Sequence, residues 1–276
     1  MTVDPRFEPF HQIRPTNLED ALAILGPLAS QRAPARVRRG GEAEVADVGL
    51  ASARESRAGL VLDDVFDDRT VDRWLDGIDR MGPRAGTAFG PGRVIGGGWF
   101  TYYDLIPDPD RRRDAYRRAI AVCEPEMAET TPALGERCLA LAGRLIGAEV
   151  VRRPGFAGPS VVVFDESASD GGDGDIHLDF QGLVCDDPAH LDDEAYSFVL
   201  MLEPAIRGGH LRVWGIAAED GPPVSQPPPV ELEYRRGSLA VFPARDLHQI
   251  TEMHGPRRVT VNWHVRNRDG RWEAWF

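Results

Sequence analysis

Lysine is absent from this chain. All 32 basic residues among its 276 are arginine. The absence excludes chemistries built on a lysine amine: Schiff-base catalysis, pyridoxal-phosphate anchoring, the phosphate-gripping lysine of a P-loop and a Ser-Lys dyad. A biased base composition explains it as well as any function does. Cysteine is scarce. Cys123, Cys138 and Cys185 show no Cys-x-x-Cys spacing, which points to reduced thiols in a cytoplasmic protein. No apolar run approaches the ~18 residues of a membrane span. Met1-Thr2-Val3-Asp4-Pro5 lacks the basic-then-apolar order of a signal peptide. Positive charge is in deficit, with a net charge of −12. That argues against nucleic-acid and anionic-membrane partners, which need basic surface. The densest basic cluster, Arg111-Arg112-Arg113 with Arg117-Arg118, is interleaved with Asp108, Asp110 and Asp114 and reads as a solvated helix face. There is no Gly-x-Ser-x-Gly elbow, and Gly90-Pro91-Gly92 and Gly96-Gly97-Gly98 make no dinucleotide fingerprint.

What the chain does contain is His177-Leu178-Asp179-Phe180, with His248 and Arg258 downstream. In a strand, residues i and i+2 share a face. The spacing therefore predicts His177 and Asp179 on one side, with Leu178 and Phe180 on the other. Two imidazoles and one carboxylate can occupy one face of an octahedral metal, which suits non-heme Fe(II) oxygenases. An arginine offers a forked cation to a carboxylate-bearing co-substrate. With 7 His and 44 acidic residues, about one His-x-acidic triplet arises by chance. A second copy, His190-Leu191-Asp192, lies in a polar stretch without alternation and reads as a solvated loop.

Two further segments add to the triplet. Ser238-Leu239-Ala240-Val241-Phe242-Pro243 reads as a buried strand leading into Asp246-Leu247-His248-Gln249-Ile250. Arg257 to Val265 alternates strictly, with Val259, Val261, Trp263 and Val265 on one face and Arg258, Thr260, Asn262 and His264 on the other. Such a strand is either an edge with a wet outer face or a barrel strand whose polar face lines a pocket.

With these residues the chain resembles the Fe(II)- and 2-oxoglutarate-dependent dioxygenases, in the broad prolyl-hydroxylase-like sense, over roughly residues 58 to 266. The carriers are His177-Leu178-Asp179, Gly208-Gly209-His210-Leu211-Arg212-Val213, Gly237-Ser238-Leu239-Ala240-Val241-Phe242-Pro243, His248 and Arg258. Val259 stands where many such members carry Tyr. The resemblance implies Fe(II) held by His177, Asp179 and His248. It implies 2-oxoglutarate chelating that metal, with Arg258 on its distal carboxylate and Thr260 assisting. With O2 it implies hydroxylation of a small molecule, a free amino acid or natural-product intermediate, with release of succinate and CO2. Relatives that halogenate replace the carboxylate ligand by Gly, so Asp179 argues against halogenation. Asn262 shares the Arg258 face as a contact to co-substrate or substrate, and Trp99, Tyr102 and Tyr103 form either a lid or plain packing. His210 and His264 read as satisfied pocket or core histidines. A 2-oxoglutarate-independent iron oxidase and a non-enzymatic jelly-roll metal- or ligand-binding protein stay open beside this reading, and the oligomeric state is open too.

The expected organisation is an N-terminal helical extension or arm over residues 1–57, then a catalytic domain over 58–276. The fold class expected is mainly β with flanking helices: a double-stranded β-helix (jelly roll, cupin-like) core covered by N-terminal helices. Helical spacing predicts a helix over 17–28, one capped by Asp67 or Asp68 with Val71, Trp74, Leu75 and Ile78 on one face, and two more around Tyr116–Cys123 and Leu134–Leu145, the last ending at Gly147. Residues 30–57 read as a linker and 82–108 as loop. Strands are predicted at Leu60–Phe66, Ser160–Phe164, Ile176–Phe180, Tyr196–Leu202, His210–Trp214, Val230–Tyr234, Leu239–Phe242, Leu247–Thr251 and Val259–Val265. Asp170-Gly171-Gly172-Asp173-Gly174-Asp175 reads as a flexible loop that orders over substrate.

Overall fold

Apolar strand runs and amphipathic helices dictate a layered arrangement here, because each must bury one face. The computed structural model describes residues 30–31, 36–41, 57–82, 87–89, 92–97, 109–165, 172–179, 193–217, 229–233 and 235–276. Strands dominate. In chain order they are β1 (Ser30–Gln31), β2 (Arg36–Gly41), β3 (Arg57–Asp63), β4 (Thr87–Phe89), β5 (Gly92–Ile95), β6 (Val150–Arg152), β7 (Ser160–Asp165), β8 (Ala195–Glu203), β9 (Arg207–Gly208) and β10 (Leu211–Ala217). There follow β11 (Val230–Leu232), β12 (Leu239–Pro243), β13 (Asp246–Ile250), β14 (Met253–His254), β15 (Arg257–Arg268) and β16 (Arg271–Trp275). Among the described residues three helices accompany them: α1 (Asp68–Met81), α2 (Pro109–Thr130) and α3 (Leu134–Ile146).

The helices form where the sequence places them. Asp67 caps α1, its carboxylate accepting from the Thr70 backbone N–H at 2.7 Å. Such a cap is worth about 1 kcal/mol. Val71, Trp74, Leu75 and Ile78 recur at helical spacing and are all buried. Gly147 ends α3 in the left-handed conformation, its N–H reaching the Gly143 carbonyl at 2.9 Å. Arg111, Arg113, Arg117 and Arg118 lie exposed on α2, as a solvated face requires.

The large sheet runs β2-β3-β12-β8-β15-β7-β5-β4, with β16 paired to β15 and β6. One face of it meets α1 and α3. Phe198, Leu200, Val259, Val261, Trp263 and Val265 pack there with Trp74, Leu141 and Leu145. Phe198 and Trp263 stack with ring centroids 5.0 Å apart. The other face meets a smaller sheet in which β10 pairs with β1, β11 and β13. Val61, Val199, Met201, Leu211, Val213, Leu232, Ala240 and Phe242 fill the space between the sheets. Because β8 and β12 are covered on both sides, their sequences read as continuous apolar runs rather than alternations.

Several expectations need correction. Residues 30–57 contribute strands β1 and β2, and β2 lies parallel to β3 at one end of the large sheet. Residues 82–108 are not all loop, since β4 and β5 form a hairpin whose second strand pairs with β7. The chain also adds β6 and β16, which the sequence reading did not include. Ile176–Phe180 is not a strand over its described part, but a single bridge pairing His177 with His248. The helix expected over 17–28, His190 and the candidate lid residues Trp99, Tyr102 and Tyr103 lie outside the described residues. Cys123 and Cys138 are free, buried thiols, and Cys185 is not among the described residues. Among the described residues no helix is long and apolar enough to cross a membrane.

Candidate metal centre

The His177 segment reaches β13 through backbone pairing rather than strand geometry. The His177 N–H donates to the His248 carbonyl at 2.9 Å, and the His248 N–H returns the bond at 3.0 Å. Asp179 N–H then donates to Ala244 O at 2.7 Å, at the turn between β12 and β13. The three side chains converge because one bridge and one turn contact fix their backbones.

What holds the segment before His177 is a polar latch. Gly174 N–H donates to Ile250 O at 2.8 Å, and Gln249 Nε2 donates to Gly174 O at 2.7 Å. Arg212 on β10 donates to Asp173 at 2.6 Å and to Gln249 Oε1 at 3.0 Å. Glu252 N–H adds a bond to Asp173 at 2.8 Å. Within the Asp170–Asp175 loop, Asp173 and Gly174 are therefore tied to β10, β13 and the Glu252 backbone.

One ligand atom each from His177, Asp179 and His248 can be chosen so that all three lie within 4.8 Å of one another. His248 Nε2 sits 3.2 Å from one Asp179 oxygen, and His177 Nε2 sits 3.9 Å from the other. Both rings are oriented the same way. His177 Nδ1 lies 2.9 Å from Asp175 O, and His248 Nδ1 lies 2.9 Å from Asp246 O. A carbonyl can only accept, so each Nδ1 carries the proton and each neutral ring presents its Nε2 lone pair inward. Asp179 and His248 are buried, whereas the His177 side chain is 26% exposed, so the centre opens on its side. Two nitrogens and one carboxylate, all pre-oriented, suit a divalent transition metal.

The electrostatics agree with this. Burial opposes ionisation of Asp179, but His248, His264 and His177 crowd around it, and its carboxyl is held far below the ordinary carboxylate range. Burial likewise opposes a charge on His248, yet Asp179 and the Asp246 carbonyl raise its pKa above the ordinary imidazole value. A raised His248 pKa stabilises the metal-free fold below the ordinary imidazole pKa, and that contribution is lost as pH rises through the raised value. A cation competes with this proton for Nε2. Affinity for a divalent metal is thus expected to rise about tenfold per pH unit up to the raised pKa and then level off. Competition against a chelator across the neutral range would measure this, and a pH-independent affinity would contradict it.

On the polar face of β15, Arg258, Thr260 and His264 are buried and Asn262 is half-buried. Arg258 is 1% exposed and Thr260 is fully buried, which rules out an edge strand with a wet outer face. The Arg258 Nε–H donates to Gly209 O at 3.0 Å, and its guanidinium lies 5.9 Å from the centre of the Phe164 ring. The two glycines before β10 make that approach possible. A Cβ on Gly208 would fall 1.9 Å from Glu252 O, and one on Gly209 would fall 3.1 Å from Arg258 Cδ, both at positive φ. Thr260 Oγ1 and Asn262 Oδ1 are buried without a hydrogen-bond partner among the described residues. A buried polar atom left so costs about 1–3 kcal/mol, which a polar ligand would relieve.

Two residues beside the centre were not in the expected ligand set. The Ser197 hydroxyl donates to Asp179 at 2.7 Å, and His264 Nδ1 lies 3.1 Å from Ser197 Oγ. His264 was expected to be a satisfied core or pocket histidine, and it is buried with a partner. Ser197 had no local signal, because it interrupts an apolar run. Only the register that places Ser197 opposite His264 reveals the pair.

No family model and no curated protein matches the chain. Among solved structures, it is similar to an oxidoreductase of the 2OG-Fe(II) oxygenase family from Burkholderia pseudomallei, at 18% identity over 84% of this chain and 95% of that one, with a TM-score of 0.48. It is also similar to an N-substituted L-amino acid dioxygenase from Burkholderia ambifaria AMMD, at 13% identity over 85% of this chain and 91% of that one, with a TM-score of 0.54. The second likeness establishes a shared fold.

Proposed function

We propose that this chain is a non-heme Fe(II)- and 2-oxoglutarate-dependent dioxygenase that hydroxylates a small molecule, with release of succinate and CO2. The observation that carries the reading is the convergence of His177, Asp179 and His248, with both Nδ1 atoms tied to carbonyls. In this reading these three residues hold Fe(II), which when bound activates O2 for oxidation of the substrate. The sheet orders support a double-stranded β-helix. Strands β12-β8-β15-β7 form one side of it, and β11-β10-β13 with the His177 bridge form the other. The catalytic domain is assigned to residues 58–276, with β2 adding to its large sheet.

The chain's own residues do the positioning. Arg258, fixed through Nε by Gly209 O, presents a planar forked cation to the distal carboxylate of 2-oxoglutarate. Thr260, one step along the same face, adds its hydroxyl to that carboxylate. Asn262 lies a further step along β15 and is assigned to substrate contact, as are Trp99 and Tyr102 from the sequence. The apolar wall of Val199, Met201 and Phe242 keeps water from the inner side. A free amino acid or natural-product intermediate fits this assignment, and the N-substituted amino acid dioxygenase among the fold neighbours adds support.

The test is an anaerobic titration of the metal-free protein with Fe(II) and then 2-oxoglutarate, following the weak visible charge-transfer band. The expected result is a saturable band that is lost in His177→Ala. Iron binding without the band would favour a 2-oxoglutarate-independent oxidase. No iron binding would favour a non-enzymatic jelly-roll protein.

A further inference from the structure

Three polar side chains from three separate segments form a line that ends at the candidate centre. Asp179 stands at its head. Ser197 on β8 donates its hydroxyl proton to Asp179 Oδ2 at 2.7 Å. That proton is then committed, so Ser197 Oγ must accept from the N–H of His264 Nδ1, 3.1 Å away. His264 on β15 lies directly opposite Ser197 in the strand register. Its ring is held flat against Phe276, with centroids 5.7 Å apart and planes 15° apart, and Trp275 flanks it at 5.4 Å. All three polar residues are buried, with Ser197 1% exposed and Asp179 and His264 both at 6%. Successive donors in such a line polarise one another, and low local dielectric strengthens each bond.

We propose that Ser197 and His264 are positioning residues for the Asp179 carboxylate: the donor line from His264 through Ser197 ends on Oδ2, the oxygen that also faces His248 Nε2 at 3.2 Å, and fixes the carboxylate plane so that the metal meets a single oxygen. The proposal rests on the metal reading above and goes beyond it. A carboxylate on a short side chain can turn about its last bond, and a turned carboxylate offers a metal both oxygens or neither. A hydrogen bond held on one oxygen prevents the turn. It also preserves metal positions that a two-oxygen carboxylate would fill, and a co-substrate and oxygen both need those positions. Outer partners of metal ligands commonly matter by 10- to 100-fold in metal affinity.

The experiment uses the full chain and Co(II) as the probe. Co(II) affinity is measured by competition against a chelator, and the visible spectrum of the loaded protein is recorded. The native chain is compared with Ser197→Ala, His264→Phe, His264→Asn and, as a ligand-deletion control, His248→Ala. His264→Phe keeps a flat ring against Phe276 but removes the donor. His264→Asn returns an N–H near the position of Nδ1. Thermal unfolding of each metal-free variant is followed in parallel. The expected result is about a 10- to 100-fold loss of Co(II) affinity in Ser197→Ala and His264→Phe, with substantial recovery in His264→Asn. The Co(II) bands of the two weakened variants should lose intensity as the second carboxylate oxygen enters the coordination sphere. A pure packing role would lower the melting temperature and leave affinity and spectrum unmoved, which would overturn the proposal. Equal weakening in His264→Asn and His264→Phe would overturn the donor role of His264. Native-like affinity in Ser197→Ala, beside a His248→Ala chain that does not bind, would overturn the proposal while leaving the metal reading intact. If the native chain itself fails to bind Co(II), the metal reading fails and this proposal with it.

Discussion

Exchange of Arg258 for alanine is expected to weaken 2-oxoglutarate binding by about 30- to several thousand-fold, while Fe(II) binding alone stays near its native strength. The expectation follows from burial. Arg258 is 1% exposed and reaches its position on β15 with Nε bonded to Gly209 O. A carboxylate that enters this space leaves water and needs a partner there. Removing one member of a buried, hydrogen-bonded charge pair costs about 2–5 kcal/mol, and each 1.4 kcal/mol is tenfold in affinity. Lysine would not restore the pair, because a point charge on a flexible stem cannot reproduce the guanidinium fork. The metal ligands come from other segments, so the effect should separate cleanly from metal affinity. The measurement is the 2-oxoglutarate dependence of the charge-transfer band at saturating Fe(II), with Arg258→Met beside Arg258→Ala to keep the side-chain stem. Unchanged affinity in both variants would remove Arg258 from the site.

Exchange of Trp263 for alanine is expected to lower the unfolding free energy by about 3–5 kcal/mol, the range for deleting a large buried ring. Trp263 is fully buried, on the face of β15 opposite Arg258. It stacks on Phe198 and belongs to the core shared with Trp74, Leu141 and Leu145. Its loss opens a gap between the large sheet and the helices, and a close-packed interior closes such a gap only in part. A shift of this size lowers the melting temperature of a chain of this length by on the order of 10 °C. Metal affinity at low temperature should stay close to native, since the centre lies on the other side of the sheet. Thermal and urea unfolding would check the first part and chelator competition the second. A loss below about 1 kcal/mol would mean that the ring is not a core element.

These two residues show what the sequence could reveal. Strict alternation from Arg257 to Val265 assigned Trp263 to one face and Arg258 to the other before any fold was known, because period-two patterning survives wherever the two faces differ in polarity. Helices α1 and α3 were legible for the same reason at period 3.6, and Asp67 and Gly147 marked their ends. The hairpin of β4 and β5 was not. Its strands are short and lie among Gly and Pro residues, and β5 is fixed by its partner β7 rather than by its own pattern. The His177 segment converges with His248 through a geometry other than the expected one. A strand would bring His177 and Asp179 to one face, yet one bridge to His248 and one bond to Ala244 do it instead. Ser197 was illegible altogether, since one serine within an apolar strand carries meaning only through its partners across the sheet.

The reciprocal bonds between His177 and His248 have a consequence for how the chain breathes. The two imidazoles ride on one joint, so an opening that lifts residues 174–179 off β13 breaks that joint and parts both nitrogens together. Without a cation, the joint rests on a few backbone bonds and the Arg212 latch, and it belongs among the parts of the fold that open most easily. With one, opening requires release of the ion. At a hundred times its Kd, a cation that binds only the closed form adds about 2.7 kcal/mol against that opening. In this sense the ion is also the fastener of the loop that presents it, and the same occupancy that arms the centre would set the rate at which the surrounding chain exchanges its amide protons.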